Sequence, residues 1–197
     1  VAVPFAKKPN PLRSNPRIGL YRGYFGSMDE GWRRFVFDIF QIPFRSVSDK
    51  DIRTGGLDLD VVVLPADGEN ALLNGLSADR YPADFAGGLG DAGVENLKRF
   101  VENGGRLVCF DDSCEMVIKR FGLPMRNVLS GVRRNEFYNP GSVVSINVDK
   151  SSRLANGVPP NVPANFSNSS AFEIGDHRKV RTIASYSMTN ALLSGWM

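Results

Sequence analysis

A four-residue turn between a predicted strand and a predicted helix carries side chains of types that can take part in catalysis. Residues 103–122 read NGGRLVCFDDSCEMVIKRFG, which is typical of a buried strand followed by a sharp turn and a helix. The turn holds Asp111, Asp112, Ser113 and Cys114. In many α/β enzymes such a turn positions a nucleophile. A thiol at a helix N-terminus can ionise readily, and a carboxyl pair in unequal environments can divide acid and base roles.

The same residues also have structural interpretations. Asp112 followed by Glu115 fits the N-terminal capping of a helix, where carboxylates favour the helix dipole. A catalytic Cys114 would require a base, and the only histidine, His177, lies in a polar turn, GDHRKV, that nothing in the sequence positions beside it. Cys109 falls within the predicted strand and is most simply a small core residue. We therefore keep the catalytic and capping interpretations of this turn open.

Segments that follow neighbouring strands of an open parallel sheet meet at one edge of it, and ligands bind there. Residues 22–27, 65–69 and 111–114 each follow a predicted strand, so we expect them to form the pocket of this protein. The pocket candidates are Tyr24, Ser27, Asp67, Glu69 and Ser113.

Metal and nucleotide cofactors are not predicted for this chain. Two cysteines and one histidine without metal-ligand spacing do not complete a tetrahedral zinc site. The stretch GLGDAG over 88–93 matches a dinucleotide-binding glycine pattern, but it follows a long loop rather than a strand. It therefore favours a glycine-rich start of a helix.

Alternating strand and helix patterns indicate an α/β fold. Strands are predicted over 17–21, 44–47, 60–65 and 107–110, with helices between them. Ser27 and Glu30 form the sequence pattern of a capping box at the start of the first helix, and Pro43 is expected to stop that helix. One face of this helix is apolar, and its residues are Met28, Trp32, Phe35, Val36, Ile39 and Phe40. The pattern predicts an open, mostly parallel, flavodoxin-like sheet flanked by helices.

Several other stretches lack this periodicity. Residues 1–16 are rich in proline and lysine and predict a linker or extended arm before a domain over 17–197. The long stretch 66–90 is expected to be an irregular functional or partner-bound loop. After Pro124 we expect strands over 141–148 and 180–186, separated by a loop over 151–170.

Composition narrows the function classes. The net charge is +3, and the basic residues are scattered among acidic ones rather than arranged in a stripe with aromatic residues. We therefore expect no nucleic-acid partner. The longest apolar runs are far too short to span a bilayer, so no membrane span is expected.

Four ordered phrases carry a resemblance to a known family. They are SMDEGWRRFVFDIFQIPF, SDKDIRTGGLDLDVVVLP, GGLGDAGVENLKRFVENGGRLVCFDDSCEMVIKRFGLPMRNVL and FYNPGSVVSINVDKSSRLANGVP. Over about 17–196 the chain resembles the class I glutamine amidotransferase-like domain at the C-terminal end of bacterial secreted zinc carboxypeptidases, which are carboxypeptidase A-like metallopeptidases.

The resemblance implies a secreted or periplasmic location and a peptidase domain, preceding Val1 in the same polypeptide, as the partner. The zinc would belong to that peptidase domain, since this chain has no His-x-x-Glu pair. It also implies that this chain lacks the final strands of its sheet, so an unpaired edge and an oligomer are expected.

The catalytic motifs of the family are absent from the matching positions. Glutamine amidotransferases of this class keep a cysteine in a Gly-x-Cys-x-Gly elbow, whereas Asp112 lies nearest that position here, without the glycines. Their His-x-Glu pair is absent too, since His177 precedes Arg178 and Lys179. The resemblance therefore predicts a non-catalytic accessory domain that supports the peptidase domain or binds peptide substrate. The alternatives are a hydrolase or amidotransferase relative that uses Cys114 or the aspartate pair, and a small-ligand sensor.

Overall fold

A computed structural model describes residues 15–197 of the chain. Almost all of the arm predicted over 1–16 lies outside these residues. The chain divides into two compact units, Val1–Ser113 and Cys114–Met197. The sequence predicts one domain over 17–197, and this division into two units does not test that prediction.

The first unit contains a parallel four-stranded sheet with a helix after each of its first three strands, so an α/β fold is confirmed. Its strands lie in the order β2-β1-β3-β4, and every neighbouring pair is parallel. The side chains of Leu20, Val62 and Leu64 are fully buried in this sheet, as short apolar runs in a covered parallel sheet require. The strands are β1 (Ile18–Tyr21), β2 (Phe44–Val47), β3 (Val61–Leu64) and β4 (Arg106–Cys109).

Five α-helices occur in the described residues. They are α1 (Met28–Ile39), α2 (Asp49–Thr54), α3 (Glu69–Asn74), α4 (Gly90–Glu102) and α5 (Asp112–Phe121). The last of these crosses the boundary between the two units. The glycine pattern over 88–93 opens α4, as the sequence predicts.

The first helix begins as predicted and ends earlier than predicted. The Ser27 side chain caps it by accepting the Glu30 N–H at 3.2 Å. The Glu30 carboxylate forms an ion pair with Arg34, one turn along the helix. The helix ends at Ile39 because Gln41 adopts a left-handed conformation, with φ 51°, before the chain reaches Pro43.

The apolar face of α1 is exposed, which is unusual because an amphipathic helix normally packs this face on the core. Its inward side is built from charged and aromatic residues. Glu30 is buried, Arg34 stacks on the Phe44 ring at 5.2 Å, and Phe37 contacts the same ring with centroids 5.3 Å apart.

The expectation of an irregular loop over 66–90 is wrong for its first part, which forms α3. A β-bridge between Leu76 and Gly87 then closes a loop, and the loop residues 77–85 are all exposed. The closure explains two glycines. A Cβ on Gly75 would lie 2.0 Å from the Gly87 oxygen, and one on Gly88 would lie 2.5 Å from the Leu72 oxygen.

The second unit is built from short antiparallel strands. In its larger sheet, β6 (Ser142–Val148) pairs with β7 (Asn161–Phe166) on one side and with β9 (Ala184–Tyr186) and β10 (Leu192–Ser194) on the other. A separate pair joins β5 (Met125–Asn127) to β8 (Phe172–Ile174).

Two predictions in this unit need correction. The loop predicted over 151–170 contains β7, whose asparagines and proline conceal its strand character because these residues are rare in strands. The strand predicted over 180–186 is limited to Ala184–Tyr186.

Candidate functional site

The candidate site lies at the carboxyl ends of the parallel strands in the first unit. The chain leaves β1 toward β2 on one side and reaches β3 on the other, so the strand order reverses between β1 and β3. Ligands of open α/β sheets bind at this kind of position. The segments 22–27 and 65–69 follow these two adjacent strands, and Phe110 begins the segment after the next strand, β4.

A cleft of about 240 Å³ opens in the segment between β1 and α1. Two of the pocket candidates, Tyr24 and Ser27, line it together with the buried Glu30. The Tyr24 ring lies edge-on to Phe85 with ring centroids 5.0 Å apart, and both rings are about half exposed. An aromatic side chain from the exposed loop over 77–85 therefore contacts this cleft-lining tyrosine.

Asp67 is a buried carboxylic acid beside this cleft. Burial raises its pKa, the negative charges of Asp29 and Glu30 raise it further, and a hydrogen bond with the Ser27 side chain lowers it. Its Oδ2 atom has no hydrogen-bond partner among the described residues. The structure thus brings the candidates Ser27 and Asp67 together and keeps an acceptor oxygen of Asp67 available.

A second buried carboxylic acid near the end of β1 has no counterpart among the sequence predictions. Asp49 accepts a hydrogen bond of 2.5 Å from the Tyr21 hydroxyl, and both side chains are fully buried. Burial raises the pKa of Asp49 and also that of Tyr21. The signal that could have located Asp49 is the capping box of α2, in which Ser48 and Asp51 bond reciprocally around it.

The turn after β4 has the conformation of a strained elbow, and its central residue is Asp111. With φ 45°, Asp111 adopts the left-handed region that L-residues rarely occupy. The sequence placed Asp112 nearest the nucleophile position of glutamine amidotransferases, whereas the residue with the strained backbone is one position earlier. Asp112 is exposed and is the first residue of α5, so it lies within the first helical turn rather than before it.

Ser113 stabilises the elbow from inside the protein. Its side chain is fully buried, donates to the Phe110 carbonyl at 2.8 Å and accepts the Phe110 N–H at 3.0 Å. The hydroxyl therefore holds the end of β4 against the start of α5. Because Ser113 is buried and bonded to the main chain, it has a structural role. The sequence instead predicts a pocket position for it.

Arg33 contacts the elbow in a way that the sequence did not indicate. Its guanidinium lies over the Phe110 ring, 4.1 Å from the centroid, and its Nε atom is buried with no hydrogen-bond partner among the described residues. The sequence pattern assigned no role to Arg33. Only the orientation of α1 in the folded chain brings this cation next to the elbow.

The other candidates are placed as follows. Cys114 is the third residue of α5 and is partly buried. His177 is exposed in a turn after β8, where Arg178 binds the neighbouring Asp176. Glu69 is the partly buried first residue of α3.

Glu115 makes a contact that the sequence did not predict. The Glu115 carboxylate accepts a hydrogen bond from the Asn127 side chain, on β5. This contact lies wholly within the second unit. The capping interpretation of Asp112 and Glu115 stays a prediction.

Over residues 15–197, no group of three or more histidine, cysteine or acidic side chains is placed to hold a metal ion. In the same part of the chain, no helix combines the length and apolar character needed to cross a bilayer.

Comparison with known proteins gives similarity at the level of structure only. No protein-family model matches the chain, and none of the curated proteins does. A glutamine amidotransferase from Thermotoga maritima matches with TM-score 0.54 and 10% identity, over 91% of this chain and 70% of the other. A Thermoplasma acidophilum protein proposed to be part of a GMP synthase matches with TM-score 0.54 and 11% identity, over 89% of this chain and 75% of that one. The fold of this chain is therefore similar to that of class I glutamine amidotransferases.

Proposed function

We propose that this chain is a non-catalytic accessory domain of a secreted zinc carboxypeptidase, where it supports the peptidase domain or binds peptide substrate. The four sequence phrases that resemble such domains support the parent, and the amidotransferase-like fold agrees with them. The strand order β2-β1-β3-β4 also supports the finer flavodoxin-like assignment, since it matches the first four strands of that sheet. A secreted or periplasmic location and a zinc ion in the peptidase domain belong to the same proposal.

The observation that carries the non-catalytic part is the residue at the elbow. A class I glutamine amidotransferase requires a cysteine on this turn, because the thiolate attacks the amide carbon of glutamine. In this chain the left-handed residue is Asp111, and Cys114 lies three positions later, in the helix. The residues after His177 are Arg178 and Lys179 in place of a His-x-Glu pair. The chain therefore has neither a cysteine as the left-handed residue of the elbow nor a His-x-Glu pair.

Glutamine hydrolysis tests this part of the proposal. Ammonia release from glutamine would be measured for the wild-type chain, for Cys114→Ala and for the matched control Cys109→Ala. We expect no release above buffer from any of them. Hydrolysis that Cys114→Ala abolishes and Cys109→Ala preserves would establish the alternative, a cysteine-dependent hydrolase.

The accessory role is tested in the parent polypeptide. Carboxypeptidase activity and thermal stability would be compared with and without residues 17–197. A domain that supports its neighbour lowers the melting temperature when it is removed, and one that binds peptide raises KM when it is removed. If both properties stay unchanged, the accessory role is rejected.

A small-ligand sensor is the second candidate, and the unpartnered Asp67 oxygen beside the cleft favours it. A ligand with an N–H or O–H donor would pair with this oxygen and recover part of its burial cost. A thermal-shift screen of amines, amides and amino acids would reveal such a ligand, because binding to the folded state raises the melting temperature. The shift should disappear in Asp67→Leu. A screen without any stabilising compound would reject the sensor.

A further inference from the structure

The contacts of the described residues do not explain the exposed apolar face of α1. Met28 is 82% exposed, Phe40 71%, Ile39 58% and Trp32 56%, and Phe35 and Val36 are also exposed. Together these side chains expose on the order of 600 Å², taking roughly 200 Å² for a full aromatic side chain. Such an area is at the upper limit of the largest apolar patch on a typical monomer, ~300–600 Å².

Contacts on the other side of α1 fix this face outward. Ser27 caps the helix, the buried Glu30 pairs with Arg34, and the Arg33 guanidinium lies over Phe110. Rotating the helix to bury its apolar side would break these contacts and expose Phe37, which packs on Phe44. The apolar face is therefore available to another molecule.

The spacing of the face identifies what fits it. Met28, Trp32, Phe35 and Ile39 are separated by four, three and four residues, which is the repeat of a helix seam that packs on another helix. Trp32 and Phe35 already contact each other edge-on, with ring centroids 5.8 Å apart. The seam is symmetric about its centre, so it is complementary to an antiparallel copy of itself.

We propose that a second copy of this chain covers the face, with the two α1 helices antiparallel about a two-fold axis. Met28 then lies opposite the partner's Ile39, and Trp32 opposite the partner's Phe35. A two-fold interface uses the same patch on both copies, as this pairing does. The exposed area approaches the ~800 Å² per partner of a standard stable interface.

Charges favour this occupant over a membrane. The flanks of the seam carry Asp29 and Asp38, whereas helices that lie on membrane surfaces carry lysine and arginine there. In the antiparallel register Asp38 lies level with the partner's Asp29, and in a parallel register it would lie level with the partner's Asp38. The charges therefore do not set the direction of pairing, which the charge-pairing variants test.

The test is the oligomeric state of the 197-residue chain, measured by sedimentation over a wide range of micromolar concentrations. We expect a monomer–dimer equilibrium. Phe35→Glu should weaken it by roughly 30-fold or more, since a buried aromatic at the centre of an interface contributes ~2 kcal/mol or more. The control Met188→Glu adds the same charge at a residue 96% exposed outside the seam and should leave the equilibrium unchanged.

Charge pairing tests the register. Trp32→Lys added to Phe35→Glu places opposite charges across the proposed contact and should restore part of the dimer. Met28→Lys added to Phe35→Glu should not, because Met28 faces the partner's Ile39. In a Trp196→Phe background, Trp32 emission should shift to shorter wavelength as the dimer forms.

Three results would overturn the proposal. They are a wild-type chain that stays monomeric at every concentration, a dimer that survives Phe35→Glu, and rescue by Met28→Lys in place of Trp32→Lys. Circular dichroism verifies that each variant folds, as expected for substitutions at exposed positions. A monomer would direct attention to the peptidase domain as the molecule that covers α1.

Discussion

At the scale of single residues, the site depends on polar groups that are buried or strained. Asp111 holds a left-handed backbone, Ser113 bonds to both polar groups of the Phe110 main chain, and Asp49 and Asp67 are buried acids. Residue types alone identified Asp67, Asp111 and Ser113 as notable. Residue types did not show whether Ser113 is buried or faces a ligand, because the burial of a side chain depends on contacts between distant parts of the sequence.

Removing the Ser113 hydroxyl should destabilise the elbow. Ser113→Ala deletes one donated and one accepted hydrogen bond at a fully buried position, and we expect a loss of about 1–3 kcal/mol in the free energy of unfolding. Urea denaturation measures it. Ser77→Ala removes an exposed hydroxyl and serves as the control. A Ser113→Ala variant as stable as the control would contradict the structural role.

Asp49 and Asp60 should change stability with pH in opposite directions. Burial raises the pKa of Asp49, so the folded protein keeps a proton that the unfolded chain loses above about 3.9, and wild-type stability falls as pH rises through this window. Arg17 lowers the pKa of Asp60 to about 2, so its contribution to stability is lost as pH falls toward 2.

Two variants measure these opposite slopes. Relative to wild type, Asp49→Asn should become more stable as pH rises above about 3.9, because it keeps an acceptor for Tyr21 without the buried charge. Asp60→Asn should become less stable than wild type between about pH 2 and 4 as pH rises. Denaturation curves at a series of pH values give both differences. A falling difference for Asp49→Asn would show that its pKa is not raised.

At the scale of elements, hydrophobic pattern and turn residues predicted the parallel strands and most helices of the first unit. The apolar run of β3 and the capping serine of α1 are local signals of this kind. The pattern missed β7, which contains two asparagines and a proline and is held by its pairing with β6. It also detected the apolar side of α1 without indicating its exposure, since periodicity does not report which face meets the core.

The C-terminus of α2 depends on a side chain from α4. The Asn96 amide donates to the carbonyls of Ile52 and Arg53, at 2.9 and 2.8 Å. Asn96→Asp replaces the donor by a carboxylate facing those oxygens, and we expect a loss of about 2 kcal/mol. Asn74→Asp, at an exposed amide of α3, is the matched control in the same denaturation assay. Equal stability of the two variants would show that Asn96 does not hold α2.

At the scale of the whole molecule, the fold is similar to that of a glutamine amidotransferase over about nine-tenths of the chain. The residue with the left-handed backbone at the elbow is Asp111 rather than a cysteine. The sequence resemblance predicted the similar fold and the absence of a cysteine at the elbow, because the missing motifs are visible residue by residue. It could not predict the Tyr21–Asp49 pair or the Arg33–Phe110 contact, which join residues 28 and 77 positions apart.

The measurement that tests the non-catalytic account most directly is intact mass after exposure to an electrophilic analogue of glutamine. A glutaminase nucleophile is trapped by such an analogue even when turnover is slow. We expect the wild-type chain and Cys114→Ala to show the same mass change, attributable to slow chemical labelling at most. Rapid addition of one analogue to the wild-type chain, absent in Cys114→Ala and prevented by excess glutamine, would show that this domain carries an active glutaminase thiol.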